Sequence, residues 1–210
     1  MHRSVALLLI VPLVALLPAS CAKKKDSGEA AKGTTASAPA STEQVTGNAP
    51  SPSTPQPPVD PATGLTAVAL RKAAPEISSP ILDGSSWSLT GSKGKVVLVD
   101  FWATWCPPCR KGIPHLIDLQ KEYGSRGLQV IGISLDQQGK PVVDPFVRDA
   151  KINYPIIIDA AGKYATLYGG VEGIPTLFMI DKSGRIARTV VGYVPKEVLT
   201  PSVQTLLNEG

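Results

Sequence analysis

From Thr66 to the C-terminus, apolar residues fall into runs of strand and helix spacing; before Thr66 there is a single apolar run near the start. Val96-Val97-Leu98-Val99-Asp100-Phe101 is almost continuously apolar, which predicts a central strand covered on both faces. Gln129 to Leu135 and Tyr154 to Ile158 read as further buried strands. Helical spacing runs from Pro107 to Tyr123, with Gly124 near its end and Pro114 inside, where a kink is expected. Shorter helices are expected over Val142 to Lys151 and Lys163 to Tyr168, and a last one over Lys196 to Asn208. Ile77 to Leu89 turns back at Asp83-Gly84 as a hairpin. Thr176 to Ile180 and Ile186 to Val191 flank Asp181-Lys182-Ser183-Gly184 as another. The order βαβαβ followed by ββα predicts an α/β domain: a mostly parallel sheet, helices on both faces and an antiparallel edge.

The first apolar run, Val5 to Leu17, follows Arg3 and is broken by Pro12. It is too short for a spanning helix of about 20 residues and suits an export signal, assigned to residues 1–20. Pro18-Ala19-Ser20-Cys21 is similar to the lipobox of bacterial lipoproteins, with Pro18 where that box usually has leucine. The resemblance implies a diacylglycerol on Cys21. Residues 21–65 open with Lys23-Lys24-Lys25 and continue in Ala, Ser, Thr, Gly and Pro without apolar periodicity, the composition of a disordered tether. Residues 66–210 remain as one domain, long enough for a sizeable core.

The net charge of the whole chain is only +4 and aromatic residues make up 5%, so neither a basic patch nor a stacking platform for nucleic acid is expected. Of the three cysteines, Cys106 and Cys109 are spaced Cys-x-x-Cys, directly after a buried strand and at the start of a helix. A helix N-terminus favours the thiolate, and a second cysteine one turn inside can attack a mixed disulfide on the first. Cys106 is therefore the expected exposed nucleophile and Cys109 the buried resolving thiol, the two forming the redox disulfide. A zinc site needs four ligands, and in the domain only His115 could join the pair, so no metal and no cofactor is expected.

Val99-Asp100-Phe101-Trp102-Ala103-Thr104-Trp105-Cys106-Pro107-Pro108-Cys109-Arg110, with the preceding Gly94-Lys95-Val96-Val97-Leu98 and the later Gly173-Ile174-Pro175-Thr176, resembles the active-site segments of the thioredoxin superfamily. The stretch from Ala74 to Gly210 is similar to the membrane-tethered TlpA and ResA type. That resemblance implies a thioredoxin-like fold: a central mixed sheet, helices on both faces, an N-terminal hairpin extension and an inserted βα element around Gln129 to Lys151. It implies disulfide reduction outside the cytoplasm, in many members for cytochrome c maturation. A protein dithiol or disulfide is then the substrate and a membrane electron donor of CcdA or DsbD type the partner. It also implies a cis peptide at Ile174-Pro175 facing the dithiol, with Pro107, Ile174 and Pro175 contacting substrate; Trp105, next to Cys106, is expected to shield the thiols and to offer substrate an apolar contact.

Many reductases of this type carry Glu three residues after the second cysteine, where this chain has Gly112; many carry Asn where this chain has Asp100. Asp100 is expected to be buried beneath the dithiol with a raised pKa, and to take the proton of Cys109. Pro107 and Pro108 lack N–H groups, which argues for a reducing dithiol. The alternatives are a disulfide oxidase or isomerase, a peroxiredoxin-like peroxidase, and a Cu(I)-binding chaperone. The peroxidase reading lacks the threonine of the peroxidatic pattern, and the copper reading lacks a methionine cluster, Met1 and Met179 being the two methionines.

Overall fold

The structure, a computed structural model, describes residues 58–210. The expected signal segment, Cys21 and most of the expected tether lie outside the described residues. The domain begins earlier than the expected boundary at Thr66: Leu65 is buried, and the Thr63 carbonyl accepts from Arg188 at 2.9 Å and from the Ser202 hydroxyl at 2.5 Å. A buried leucine and a carbonyl with two donors belong to the folded unit, although the local composition is that of a linker.

Twelve strands and helices follow. They are β1 (Lys72–Ala73), β2 (Ser78–Pro80), β3 (Ser86–Ser88), β4 (Val96–Trp102), α1 (Pro107–Tyr123), β5 (Leu128–Ser134), α2 (Lys140–Asp149), β6 (Ile156–Ile158), α3 (Lys163–Leu167), β7 (Thr176–Ile180), β8 (Arg185–Val191) and α4 (Lys196–Asn208). Strands β2 and β3 form the expected hairpin as a separate two-stranded sheet. The main sheet has six strands in the order β1-β8-β7-β4-β5-β6. The parallel pairs are β4·β5 and β5·β6; β4·β7, β7·β8 and β8·β1 are antiparallel. The sheet is thus mixed, as the family resemblance implied, and the mostly parallel sheet read from element order alone is corrected. The chain returns after β6 to the other side of β4, and its last strands arrive by a hairpin turn, which can only make antiparallel neighbours.

Every residue of β4 is buried because each face of the sheet is covered. Val96, Leu98 and Trp102 pack with α1, α4 and Val143 of α2. Val97, Val99 and Phe101 pack with the β2–β3 hairpin and with Tyr164 and Tyr168 of the α3 region. Helix α1 buries Cys109, Ile113, Leu116, Leu119 and Tyr123, one stripe at three- and four-residue spacing. Helix α2 starts two residues before its expected start at Val142, because Pro141 suits a first helical turn. It stops before Lys151, which takes a left-handed φ of 54°.

A buried ion-pair network closes the end of the domain away from the dithiol. Arg71 bonds Asp181 at 3.1 Å and Glu209 through both nitrogens at 2.5 and 2.8 Å. It ties the start of the domain to the β7–β8 turn and to the C-terminus.

Candidate active site

Strand β4 ends at Trp102, four residues turn, and α1 begins, with Cys106 as its N-cap and Pro107 and Pro108 in its first turn. Pro suits this position because a first-turn amide has no partner inside the helix. Cys106 and Cys109 are joined in a disulfide. The Cys109 N–H donates to the Cys106 sulfur at 3.2 Å. The Ile174 carbonyl lies 3.6 Å from the same sulfur, a contact that becomes a hydrogen bond only when Cys106 carries a proton. The Ile174-Pro175 peptide is cis, as the resemblance implied.

The structure corrects the placement of Cys106: it is 2% exposed, as buried as Cys109. Ile174 covers it from the cis-proline loop. Trp105, expected to shield the thiols, instead stands out at 65% exposure. Pro107 is exposed, Ile174 half-buried and Pro175 buried. The surface around the dithiol is therefore a tryptophan, a proline edge and the half-buried Ile174 of the cis-proline loop.

Asp100 lies on the face of β4 that carries Leu98 and Trp102, the face against α1. It lines a small cavity of about 30 Å³ with Cys109, Gly112, Leu116, Pro175 and Leu177, and with Tyr193, Val194 and Leu199 from the chain after β8. That volume admits a water molecule. Burial pushes the Asp100 carboxyl up to about 7, from an ordinary 3.8. Tyr154 is raised well above its ordinary value, first by burial and then by the Asp100 charge. The absent side chain of Gly112 leaves the cavity open on the α1 side; a Cβ there would meet Tyr193 at an ordinary 3.8 Å. At Gly132, paired with Asp100 across β4·β5, a Cβ would come within 2.9 Å of the Trp102 indole nitrogen and 2.6 Å of Ile156. Glycine there leaves room for the Trp102 ring and the Ile156 side chain.

Sequence reasoning missed Tyr193 and Asp136. The Tyr193 ring lies 4.3 Å from the Lys111 ammonium and 5.6 Å from the His115 ring, so it borders the cavity by contacts from the loop after β8 to α1 that no local motif reveals. Asp136 is 1% exposed and bonded to the turn before Cys106. Its only sequence signal is a carboxylate just beyond an apolar strand. The exposed Arg110 sets its guanidinium 5.7 Å from the Phe146 ring. The described residues contain no cluster of three or more His, Cys, Asp or Glu able to hold a metal.

A buried dithiol at a helix N-cap, a cis-proline loop against it and a buried carboxyl beneath the second cysteine define a thioredoxin-like thiol-disulfide oxidoreductase. Residues 70–189 match the AhpC/TSA family. The chain is 31% identical over 144 residues to the thiol-disulfide oxidoreductase ResA of Geobacillus thermodenitrificans, covering 69% of this chain and 82% of the relative. Among solved structures it is similar to a thioredoxin-family thiol:disulfide interchange protein from Chlorobium tepidum, with TM-score 0.62, 35% identity, and 68% and 100% of the two chains covered. It is also similar to a secreted thiol-disulfide isomerase from Corynebacterium glutamicum, with TM-score 0.65, 28% identity, and 69% and 91% covered. The chain belongs to the AhpC/TSA family, as a ResA-like member of the thioredoxin superfamily.

Proposed function

We propose that the protein is held outside the cytoplasm by a lipid on Cys21 and reduces protein disulfides there, using Cys106 and Cys109 as the dithiol and Asp100 as the proton acceptor. The observation that carries the reducing direction is the supply of amides to Cys106. The first two residues after the N-cap are prolines, so Cys109 N–H is the first-turn donor left to a Cys106 thiolate, at 3.2 Å. A sparsely stabilised thiolate makes a stronger reductant, because oxidants of this chemistry depend on a stabilised reduced form. The short apolar leader and the small residues before Cys21 support export and lipid attachment. The resemblance to the ResA type suggests the haem-binding cysteines of cytochrome c as substrate and a CcdA- or DsbD-type membrane protein as electron donor.

In the proposed cycle the Cys106 thiolate attacks one sulfur of the substrate disulfide. A Cys106–substrate bond forms and the other substrate sulfur leaves as thiolate. Cys109 gives its proton to Asp100 and attacks the Cys106 sulfur, which frees the second substrate thiolate and closes the Cys106–Cys109 disulfide. Two electrons pass from the protein to the substrate, whose thiolates take up protons from Asp100 and solvent. Trp105, Pro107 and Ile174 form the docking surface, with the buried Pro175 holding the loop beneath it and the Ile174 backbone available to pair with an extended substrate strand.

Two measurements test this reading. Cys109→Ser traps a mixed disulfide with a protein substrate, while Cys106→Ser loses disulfide reduction altogether; normal turnover by Cys109→Ser refutes the dithiol cycle. Equilibration with glutathione is expected to give a reduction potential on the order of −200 to −270 mV, between isomerase and thioredoxin values. A value near about −120 mV refutes the reducing direction and supports an oxidase.

A further inference from the structure

The turn between β4 and α1 is held by a carboxylate that the proposed cycle does not use. Asp136, two residues beyond the end of β5, is 1% exposed and forms no ion pair among the described residues. Its oxygens straddle Thr104. One accepts from the Thr104 hydroxyl at 2.6 Å, the other from the Thr104 N–H at 2.9 Å and from the buried Ser134 hydroxyl at 2.8 Å. Ser134 in turn accepts from the Asp136 N–H at 3.2 Å. Burying a carboxylate without a cation is costly unless its lone pairs are filled, and here three donors converge on it.

Thr104 sits between the strand end and the nucleophile. Behind it, the Trp102 carbonyl accepts from Leu135 N–H at 2.8 Å; ahead of it, Cys106 N–H reaches back to the Ala103 carbonyl at 3.2 Å. The Asp136–Thr104 bonds therefore fasten the middle of the turn to the neighbouring strand, and the turn sets the angle at which Cys106 enters the helix. That angle decides whether the Cys109 amide points at the Cys106 sulfur. With Pro107 and Pro108 contributing no N–H, the thiolate has little else in the first turn to replace a misaligned amide.

We infer that Asp136 and Thr104 form a clamp that positions Cys106 on the Cys109 amide and thereby keeps its thiol reactive; Asp136 is a positioning residue, not one that touches substrate. The inference rests on Cys106 being the attacking thiol, as proposed above. Thr104 is partly exposed, so its replacement is the gentler perturbation. Thr104→Val removes the hydroxyl bond and keeps the shape; Thr104→Ser keeps the bond. Asp136→Asn removes the clamp and also a negative charge, whose loss by itself favours a thiolate, so it serves as a background and not as the primary variant.

The test is the pH dependence of alkylation by iodoacetamide in the reduced full chain, with the modified cysteine identified by peptide mass spectrometry. Thr104→Val is expected to slow modification of Cys106 at neutral pH about tenfold, the low end for a lost hydrogen bond to a charged group, and to move its midpoint upward. Thr104→Ser is expected to react at the parent rate. In the Asp136→Asn background, Thr104→Val is expected to change nothing further, since the two groups act as one unit. A Thr104→Val protein that alkylates at the parent rate overturns the clamp, even if its melting temperature falls. So does a Thr104→Ser protein as slow as Thr104→Val. If Cys109 proves to be the modified thiol in the parent protein, the cycle proposed above fails, and that failure is told apart from failure of the clamp.

Discussion

Replacing Asp100 by asparagine has two separable consequences, both set by its burial. The carboxyl titrates at about 7 in the folded protein against 3.8 ordinarily, and burial is the cause. Below about pH 4 the folded and unfolded chains both hold the proton, and Asp100 costs nothing relative to an amide of the same shape. Between about pH 4 and 7 the unfolded chain ionises while the native one keeps its proton, so the parent loses stability as pH rises. Above about pH 7 the penalty is complete. At about 1.36 kcal/mol for each pH unit between the two values it comes to about 4 kcal/mol. Asp100→Asn should therefore melt close to the parent at about pH 4 and roughly 8–16 °C higher at about pH 8, using about 2–4 °C per kcal/mol for a domain of this size. The kinetic consequence has the opposite sign for function. Without a carboxylate to take the Cys109 proton, release of substrate from the mixed disulfide should slow by about 10²–10⁴-fold. Stopped-flow mixing of a preformed mixed disulfide measures that step, and thermal melts at the two pH values measure the first. An Asp100→Asn protein that resolves the mixed disulfide at the parent rate from about pH 6 to 8 refutes the proton role. Equal melting of parent and variant at both pH values refutes the raised pKa.

Gly112→Glu should fold, because the new Cβ meets Tyr193 at 3.8 Å, and it brings a second carboxylate to the cavity that holds Asp100. Like charges oppose each other, so the pH midpoint of mixed-disulfide resolution should rise; an unchanged or lower midpoint refutes the shared cavity. Arg71→Met should cost about 3–5 kcal/mol in denaturant unfolding, because it strands Asp181 and Glu209 without their cation at a nearly closed site. Its reduction rate per folded molecule should equal the parent's, since the network lies at the far end of the sheet; a change in rate would show coupling between the two ends.

The run Val96 to Phe101 read as a strand covered on both sides, and Cys-x-x-Cys directly after it read best as a redox dithiol at a helix start. These features are local: apolar periodicity, turn chemistry and the fixed dihedral of proline act within a few residues, so the sequence alone determined most element bounds, the dithiol and the burial of Asp100. The sheet order was not local. Whether β7 lies beside β4 antiparallel depends on where the chain goes after β6, and no residue of β7 encodes its partner; the element order alone pointed to a mostly parallel sheet, the family resemblance to a mixed one, and the tertiary structure has the mixed one. The same holds for the folded stretch before Thr66, whose Thr63 carbonyl gains its donors from Arg188 and Ser202, far along the chain. Cys106 looked exposed because a helix N-terminus usually is, yet the cis-proline loop, 68 residues on at Ile174, covers it. The place of Tyr193 beside the Asp100 cavity and the grip of Asp136 on Thr104 arise between residues 32 or more positions apart. Such contacts depend on which side chains the packed sheet brings face to face, and one-dimensional spacing carries no trace of that.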